Sequence, residues 1–320
     1  MKMRLIPTLG SLLLISATGA AADGFTSLNA KVRFNTGEVD RNGTVASFDN
    51  DVQTSAHGVY ELGEWTIFGG LETQRSAFTA NGGDPDDKYK NVYFDLGGER
   101  SFGAFSFGGQ LAHISFENDF LGVNSSVDVV SAYGQYEVNG LVAGAGLLYS
   151  NTSDAGAADV DETGVLAFIS NDFGNGLTLG AQATVQSDFE LLELYADYKF
   201  KKGDVSFSLI NTDTGPSTVQ FFSIDGRYQI YKQFNLIGGL LNSDDPTGDS
   251  TTELSTGVEY VFGDGAAARL EYVEYGAFNG FSGNGISFGL TYEIGKKRKS
   301  GYQPIGKTFA DKNSAVFFTF

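Results

Sequence analysis

The 320-residue chain contains no cysteine and only five prolines, two methionines, two histidines and one tryptophan. Without cysteine, neither a disulfide nor a thiolate metal centre can hold the fold together. Basic residues are also few, 21 Lys and Arg against 39 Asp and Glu, which gives a formal net charge of −18. The basic surface that nucleic-acid-binding proteins present is therefore excluded, and no nucleic-acid partner is expected.

The chain also lacks an apolar run long enough for a transmembrane helix, which needs about 20 residues. The apolar stretch from Leu5 to Ile15 is too short, and it follows the charged start Met-Lys-Met-Arg. Three alanines ending at Ala22 then precede Asp23. This pattern predicts a secretory signal peptide over residues 1–22, with cleavage before Asp23. Loss of that segment removes two basic residues, so the exported chain is still more acidic.

Glycine and aromatic residues are abundant, with 43 Gly, 27 Phe and 15 Tyr, and this composition favours twisted sheet over helix. Segments of about ten residues alternate apolar and polar side chains. In residues 192–200, Leu192 and Leu194 share one face, while Glu193 and Asp197 share the other. A period of two predicts a strand between two unlike environments, whereas helical spacing fails on these segments.

Tight turns and longer polar loops separate these segments in alternation. Asn139-Gly140 and similar Gly-containing pairs are hairpin signals. The longer loops are predicted at residues 36–50, 79–88, 118–126, 151–161, 212–217, 243–250 and 276–283. Counting the segments from Phe25 to Ile294 predicts about sixteen antiparallel strands, an even number that returns the chain to its starting side.

The apolar faces of the segments carry Gly and Ala freely and end in aromatic residues near the tight turns, as at Phe105, Tyr136 and Phe262. An aliphatic band bounded by aromatic residues is typical of the lipid-facing side of a transmembrane barrel. Lipid admits only helices and closed sheets. The sequence therefore predicts an all-β, transmembrane antiparallel up-and-down β-barrel over residues 23–295. A secreted β-sandwich or solenoid is the alternative.

Residues 296–320 form a separate C-terminal segment with two interpretations. It begins with four basic residues and ends in an alternating aromatic run that contains Phe318 and Phe320. Residues 308–320 are long enough to be the closing strand, in which case one earlier strand is miscounted. Otherwise sixteen strands precede a basic periplasmic tail. The strand count slightly favours the tail.

The mature chain resembles the general-porin class of Gram-negative outer membranes. The matching features are the processing site at Ala22 and Asp23, the strand alternation and the terminal run of residues 315–320. In length and acidity, the resemblance is nearest to sixteen-stranded porins of the Rhodobacter type. It implies passive diffusion of small hydrophilic solutes and ions through a water-filled lumen in the outer membrane. It also implies that the barrel is surrounded by outer-membrane lipid and is a possible homotrimer. Phe318 and Phe320 would then be the signal that barrel-insertion machinery recognises. The loop that matches the family's constriction loop, residues 117–126, is short, so no constriction of that kind is expected.

Strand alternation assigns charged side chains to the lumen. Opposed acidic and basic sets in a pore screen solutes by charge and dipole, and the excess of acids predicts moderate cation selectivity. The predicted pore-lining residues are Lys31, Arg33, Asp95, Glu137, Glu193, Asp197, Asp225, Arg227, Glu259, Arg269, Glu271 and Glu293.

Other functions have less support in the sequence. A barrel hydrolase needs a histidine beside a serine or an acid pair, and only His57 and His113 are available. The acidic turns at residues 84–87 and 244–249 lack the spacing of a calcium loop. We therefore predict no catalytic residue, no metal and no cofactor. A barrel with a closed lumen that acts as an adhesin or structural anchor stays open as an alternative.

Overall fold

A computed structural model of the chain describes residues 25–41, 44–80, 87–118, 123–154, 159–187, 189–213, 218–244, 250–263, 265–277 and 281–295. These residues form sixteen strands: β1 Phe25–Arg41, β2 Thr44–Leu62, β3 Trp65–Ala80, β4 Asp87–Phe102, β5 Phe105–Asn118, β6 Val123–Val138, β7 Leu141–Asp154, β8 Val160–Asp172, β9 Leu177–Val185, β10 Glu190–Phe200, β11 Gly203–Asp213, β12 Thr218–Tyr231, β13 Phe234–Asp244, β14 Ser250–Gly263, β15 Ala266–Ala277 and β16 Phe281–Gly295.

The strands close into a single antiparallel barrel. Each strand pairs with its neighbours in sequence, and β1 pairs with β16, with Ser27 opposite Gly295 and Arg41 opposite Phe281. Closure satisfies the backbone groups that an edge strand would leave unpaired. The predicted fold, an up-and-down barrel of sixteen strands, is confirmed. Within the described residues, no helix has the length and apolar character required to cross a membrane.

Tight turns lie at one end of the barrel, which we call the turn end. The β6–β7 connection consists of Asn139 and Gly140 alone, with φ angles of 49° and 85°. Two successive left-handed residues make the type of turn whose twist matches a two-stranded ribbon, and Asn-Gly tolerates it best. The hairpin predicted at this pair is therefore present.

The opposite end, which we call the loop end, has shorter connections than the sequence predicts. The predicted loop at residues 36–50 is wrong, because β1 and β2 stay paired up to Arg41 opposite Thr44. Polar residues suggested a loop there, but strand pairing above a bilayer does not require apolar side chains. Four residues join β5 to β6. Fully extended, four residues span at most about 14 Å, too little to fold across the lumen and return.

The two faces of the barrel differ sharply in chemistry. Large apolar side chains are exposed on the outer face, with Leu147 at 67% and Phe107 at 61% of their full exposure. Aromatic pairs gather on it near the turn end, such as Phe105 with Tyr136, whose ring centroids lie 4.8 Å apart. The inner face buries polar side chains instead, including Asp95 and Glu193. An apolar outside and a polar inside reverse the arrangement of a soluble barrel.

Two predicted segments lie outside the described residues. These are the signal peptide at residues 1–22 and the C-terminal segment at residues 296–320, with Phe318 and Phe320. Within the described part, β1 has both of its edges occupied, by β2 and β16.

Candidate functional site

The inner face encloses a cavity of about 640 Å³. Its walls come from β1–β4 and β10–β16, and its lining is mostly polar or charged. Period-two alternation of the strands turns these side chains inward, while their sequence neighbours turn outward. The cavity is therefore bounded by a little over two thirds of the barrel wall and lies off its centre.

Ten of the twelve predicted pore-lining residues border this cavity: Lys31, Arg33, Asp95, Glu193, Asp197, Asp225, Arg227, Arg269, Glu271 and Glu293. The other two lie elsewhere. Glu259 is completely buried within the wall, and Glu137 is exposed beside the Asn139-Gly140 turn. The role of the twelve residues in solute passage stays a prediction.

Each arginine of the cavity wall is paired with a carboxylate one or two strands away in the barrel. The Arg33 guanidinium lies 2.9 Å from Glu271 Oε2. Arg227 Nη2 lies 2.6 Å from Asp204 Oδ2, and Arg269 Nε lies 2.6 Å from Glu259 Oε2. These pairs cancel most of the field that each arginine would otherwise project into the cavity.

Glu259 is the centre of the largest of these networks. Its Oε1 accepts a hydrogen bond of 2.7 Å from Asn235 Nδ2 and lies 3.5 Å from Arg227 Nη1, while Oε2 accepts from Arg269. A fully desolvated carboxylate is stable only with such partners. Strand alternation predicts an inward position for Glu259, but it does not show that Arg227 and Arg269 both contact the carboxylate.

Part of the acidic lining lies on β10–β12. Asp197, Ser206 and Asp225 stand in register across the three strands. Since adjacent strands are about 4.8 Å apart, the two aspartate Cα atoms are separated by about 10 Å. Glu193 lines the same wall, two residues before Tyr195. Together with the other acids of the lining, these three acids give the cavity nine Asp and Glu side chains against four Lys and Arg side chains.

Several inward polar residues were missed as pore-lining candidates. His57 Nε2 contacts Glu72 Oε1, and both side chains line the cavity. Asp51 is completely buried near the loop end, where Ser76 and Gln74 donate hydrogen bonds to its Oδ1. All three acidic or histidine side chains fit the alternation of β2 and β3. Asp51 is not predicted as a lumen residue because it directly follows residues 36–50, which the sequence predicts as a loop.

The two histidines lie on opposite faces of the barrel. His113 Nδ1 is 2.8 Å from Asp128 Oδ1, and this half-exposed pair belongs to the outer face, unlike His57. Among the described residues, no group of three or more His, Cys, Asp or Glu side chains is arranged to hold a metal ion. Each histidine contacts one carboxylate on an adjacent strand.

Away from the cavity, the inner face combines buried polar side chains with one apolar cluster. Tyr133, Val142, Leu148, Leu166 and Phe168 form a buried cluster on the inward side of β6–β8. None of these side chains borders the cavity. The lumen is therefore asymmetric, with a charged cavity on one side and this apolar cluster within the wall on the other.

Comparisons with known proteins found similar solved structures but no matching protein-family model and no matching curated protein sequence. A solved structure of a mutant Rhodopseudomonas blastica porin is similar, with 16% identity, a TM-score of 0.41, and coverage of 83% of this chain and 99% of that one. A structure named as the CymD monoaromatic hydrocarbon channel is similar with 12% identity, a TM-score of 0.41, and coverage of 90% and 93%.

Proposed function

We propose that this chain is an outer-membrane channel through which small hydrophilic solutes and ions diffuse passively, with a moderate preference for cations. The observation that carries the proposal is the reversal of polarity in a closed barrel. Exposed Phe107 and Leu147 outside, and Glu193, Asp197 and Asp225 around a cavity inside, suit a wall between lipid and water. The trimer implied by the resemblance stays a prediction.

Cation preference follows from the charge of the cavity. A wall potential extends about 10 Å into 0.1 M salt, so a narrow lumen lies entirely within it. The cavity lining holds nine Asp and Glu side chains against four Lys and Arg side chains, so the wall keeps an excess of negative charge. Cations are therefore enriched in the lumen and anions depleted.

A closed lumen is the second candidate, because the apolar cluster of β6–β8 fills part of the inner face. Such a barrel would serve as an anchor or adhesin. It would insert into membranes but carry no current, so a conductance measurement separates the two functions.

A lysine introduced on each face tests the orientation of the wall. Ile224 lies in the middle of β12 on the outer face, between Phe207 and Leu240 of the adjacent strands. We expect Ile224→Lys to destabilise the inserted barrel by about 2–4 kcal/mol, because the charge meets the middle of the bilayer. Folding into lipid vesicles, followed by the mobility of unheated samples on SDS gels, measures the loss.

The matched control is Ser206→Lys, at the same level of the inner face, between Asp197 and Asp225. A lysine there meets water and carboxylates, so insertion should match that of the unmodified protein. Equal insertion of both variants, or a greater loss for Ser206→Lys, would contradict a lipid-facing outside.

We also propose that residues 1–22 direct export and that Phe318 and Phe320 are read by the insertion machinery. Deleting Phe320 should lower the amount of protein in the outer membrane by several-fold and leave export intact, because an aromatic C-terminal run resembles an assembly signal. Fractionation of cells by membrane and periplasm measures both quantities. The control is Thr319→Ala, which changes the polar neighbour of Phe320 and should leave the outer-membrane level unchanged. An undiminished outer-membrane level after deletion of Phe320 would contradict the assignment.

A further inference from the structure

Five rings on the inner face share an arrangement that strand alternation does not explain. Each ring stands directly opposite a glycine on the adjacent strand. The pairs are Tyr195 with Gly180, Phe168 with Gly144, Tyr133 with Gly108, Phe68 with Gly97, and His57 with Gly70.

In every pair the ring occupies the space where a glycine side chain would be. A Cβ atom built on Gly108 would lie 2.6 Å from Tyr133 Cζ, and one built on Gly180 would overlap Tyr195 Cζ. Non-bonded carbon atoms approach to about 3.5–4.0 Å. The rings therefore lie flat against the wall, over the glycines, instead of pointing at the barrel axis.

Two of the rings reach a polar partner on the strand beyond the glycine. The Tyr195 hydroxyl is hydrogen-bonded with Ser170, which stands opposite Gly180 on β8. The Tyr133 hydroxyl donates a hydrogen bond of 3.1 Å to Glu99 Oε2, and Glu99 stands opposite Gly108 on β4. Each of these tyrosines therefore crosses three strands and is held at both ends.

We propose that the glycines opposite the lumen rings set the width of the channel, and hence the largest solute that passes. This inference rests on the proposed channel function. Three of the ring–glycine pairs border the cavity through Tyr195, Phe68 and His57. If the glycine gained a side chain, the ring would have to take another staggered position, and the open direction from an inner wall is the lumen.

The wall is the natural place for such control. The β5–β6 connection has only four residues, too few to form a constriction loop inside the barrel. Among the described residues, side chains on the strands narrow the lumen, and a ring held flat leaves the most room.

The test is a double-mutant cycle on Gly180 and Tyr195, read as single-channel conductance in planar bilayers at 1 M KCl. At this salt concentration, wall charge reaches only about 3 Å and width dominates the current. We expect Gly180→Ala to lower conductance by about a fifth to a half, because a displaced phenol obstructs a comparable share of a narrow pore. Tyr195→Ala should conduct at least as well as the unmodified protein. The double variant should match Tyr195→Ala, since no ring is left to displace.

The matched control is Gly289→Ala in the same cavity. A Cβ atom there meets nothing closer than 3.6 Å, so conductance should change little. If Gly180→Ala gives no folded barrel, the same cycle on Gly70 and His57 replaces it, because a Cβ atom on Gly70 meets only side-chain atoms. Unchanged conductance in Gly180→Ala, an equal fall in Gly289→Ala, or a double variant as low as Gly180→Ala would overturn the inference alone. Absence of current through the unmodified protein would instead refute the proposed function beneath it.

Discussion

Neutralising Glu193, Asp197 and Asp225 together, as Glu193→Gln, Asp197→Asn and Asp225→Asn, will remove most of the cation preference of the channel. These acids line the cavity on two nearby strands, β10 and β12. The arginines of the wall are paired with Glu271, Asp204 and Glu259. They therefore contribute little to the potential that remains in the lumen. We expect the cation-to-anion permeability ratio at 0.1 M salt to fall at least about twofold towards unity, because the whole lumen lies within one screening length. The zero-current potential in a KCl gradient measures this ratio.

The control for this variant removes three negative charges from the outer side of the wall. Glu117→Gln, Asp128→Asn and Glu274→Gln change exposed residues on outward-facing strand positions. Water and salt screen these charges from the lumen, so the ratio should change much less. If the control reduced selectivity as strongly as the lumen variant, the net charge of the protein would determine selectivity, and the three lumen acids would have no special role.

Replacing Glu259 by Gln will both weaken the barrel and shift its selectivity towards anions, although Glu259 does not border the cavity. The carboxylate holds Arg269 at 2.6 Å and Arg227 at 3.5 Å, and its loss leaves two cations in the wall without that partner. Removing one member of a buried ion pair costs about 3–5 kcal/mol, and the partial exposure of both arginines lowers this to at most about 3 kcal/mol. The temperature at which the folded band disappears from SDS gels measures stability, and the zero-current potential measures selectivity.

Glu293→Gln is the matched variant, because it removes the same charge from a residue that borders the cavity on β16. It should shift selectivity in the same direction with little loss of stability. If Glu259→Gln unfolds at the same temperature as Glu293→Gln, the buried network does not stabilise the barrel as argued.

The sequence predicts the strands where two environments meet within the bilayer. The alternation of residues 192–200 corresponds to β10, and Asn139-Gly140 forms the turn that its composition requires. The loop predicted at residues 36–50 fails for a physical reason. Above the lipid both faces of a strand meet water, so Arg41 and Thr44 can pair without any apolar alternation to reveal them.

The site is predictable one strand at a time, whereas its pairings are not. Alternation turns Arg227, Arg269 and Glu259 inward, but only the register between β12, β14 and β15 shows that they form one network. The same holds for Gly180 and Tyr195, which lie on consecutive strands but are seen to be directly opposite only once the register is known. A glycine within a strand indicates that another group approaches its backbone closely, but it does not identify that group.

The conductance of the unmodified protein in planar bilayers is the most direct test of the channel. We expect discrete openings, a current that rises with salt concentration, and a cation preference at 0.1 M KCl that weakens towards 1 M as screening shortens from about 10 Å to about 3 Å. Folded barrels that insert but carry no current, or a current that favours anions at low salt, would contradict the account.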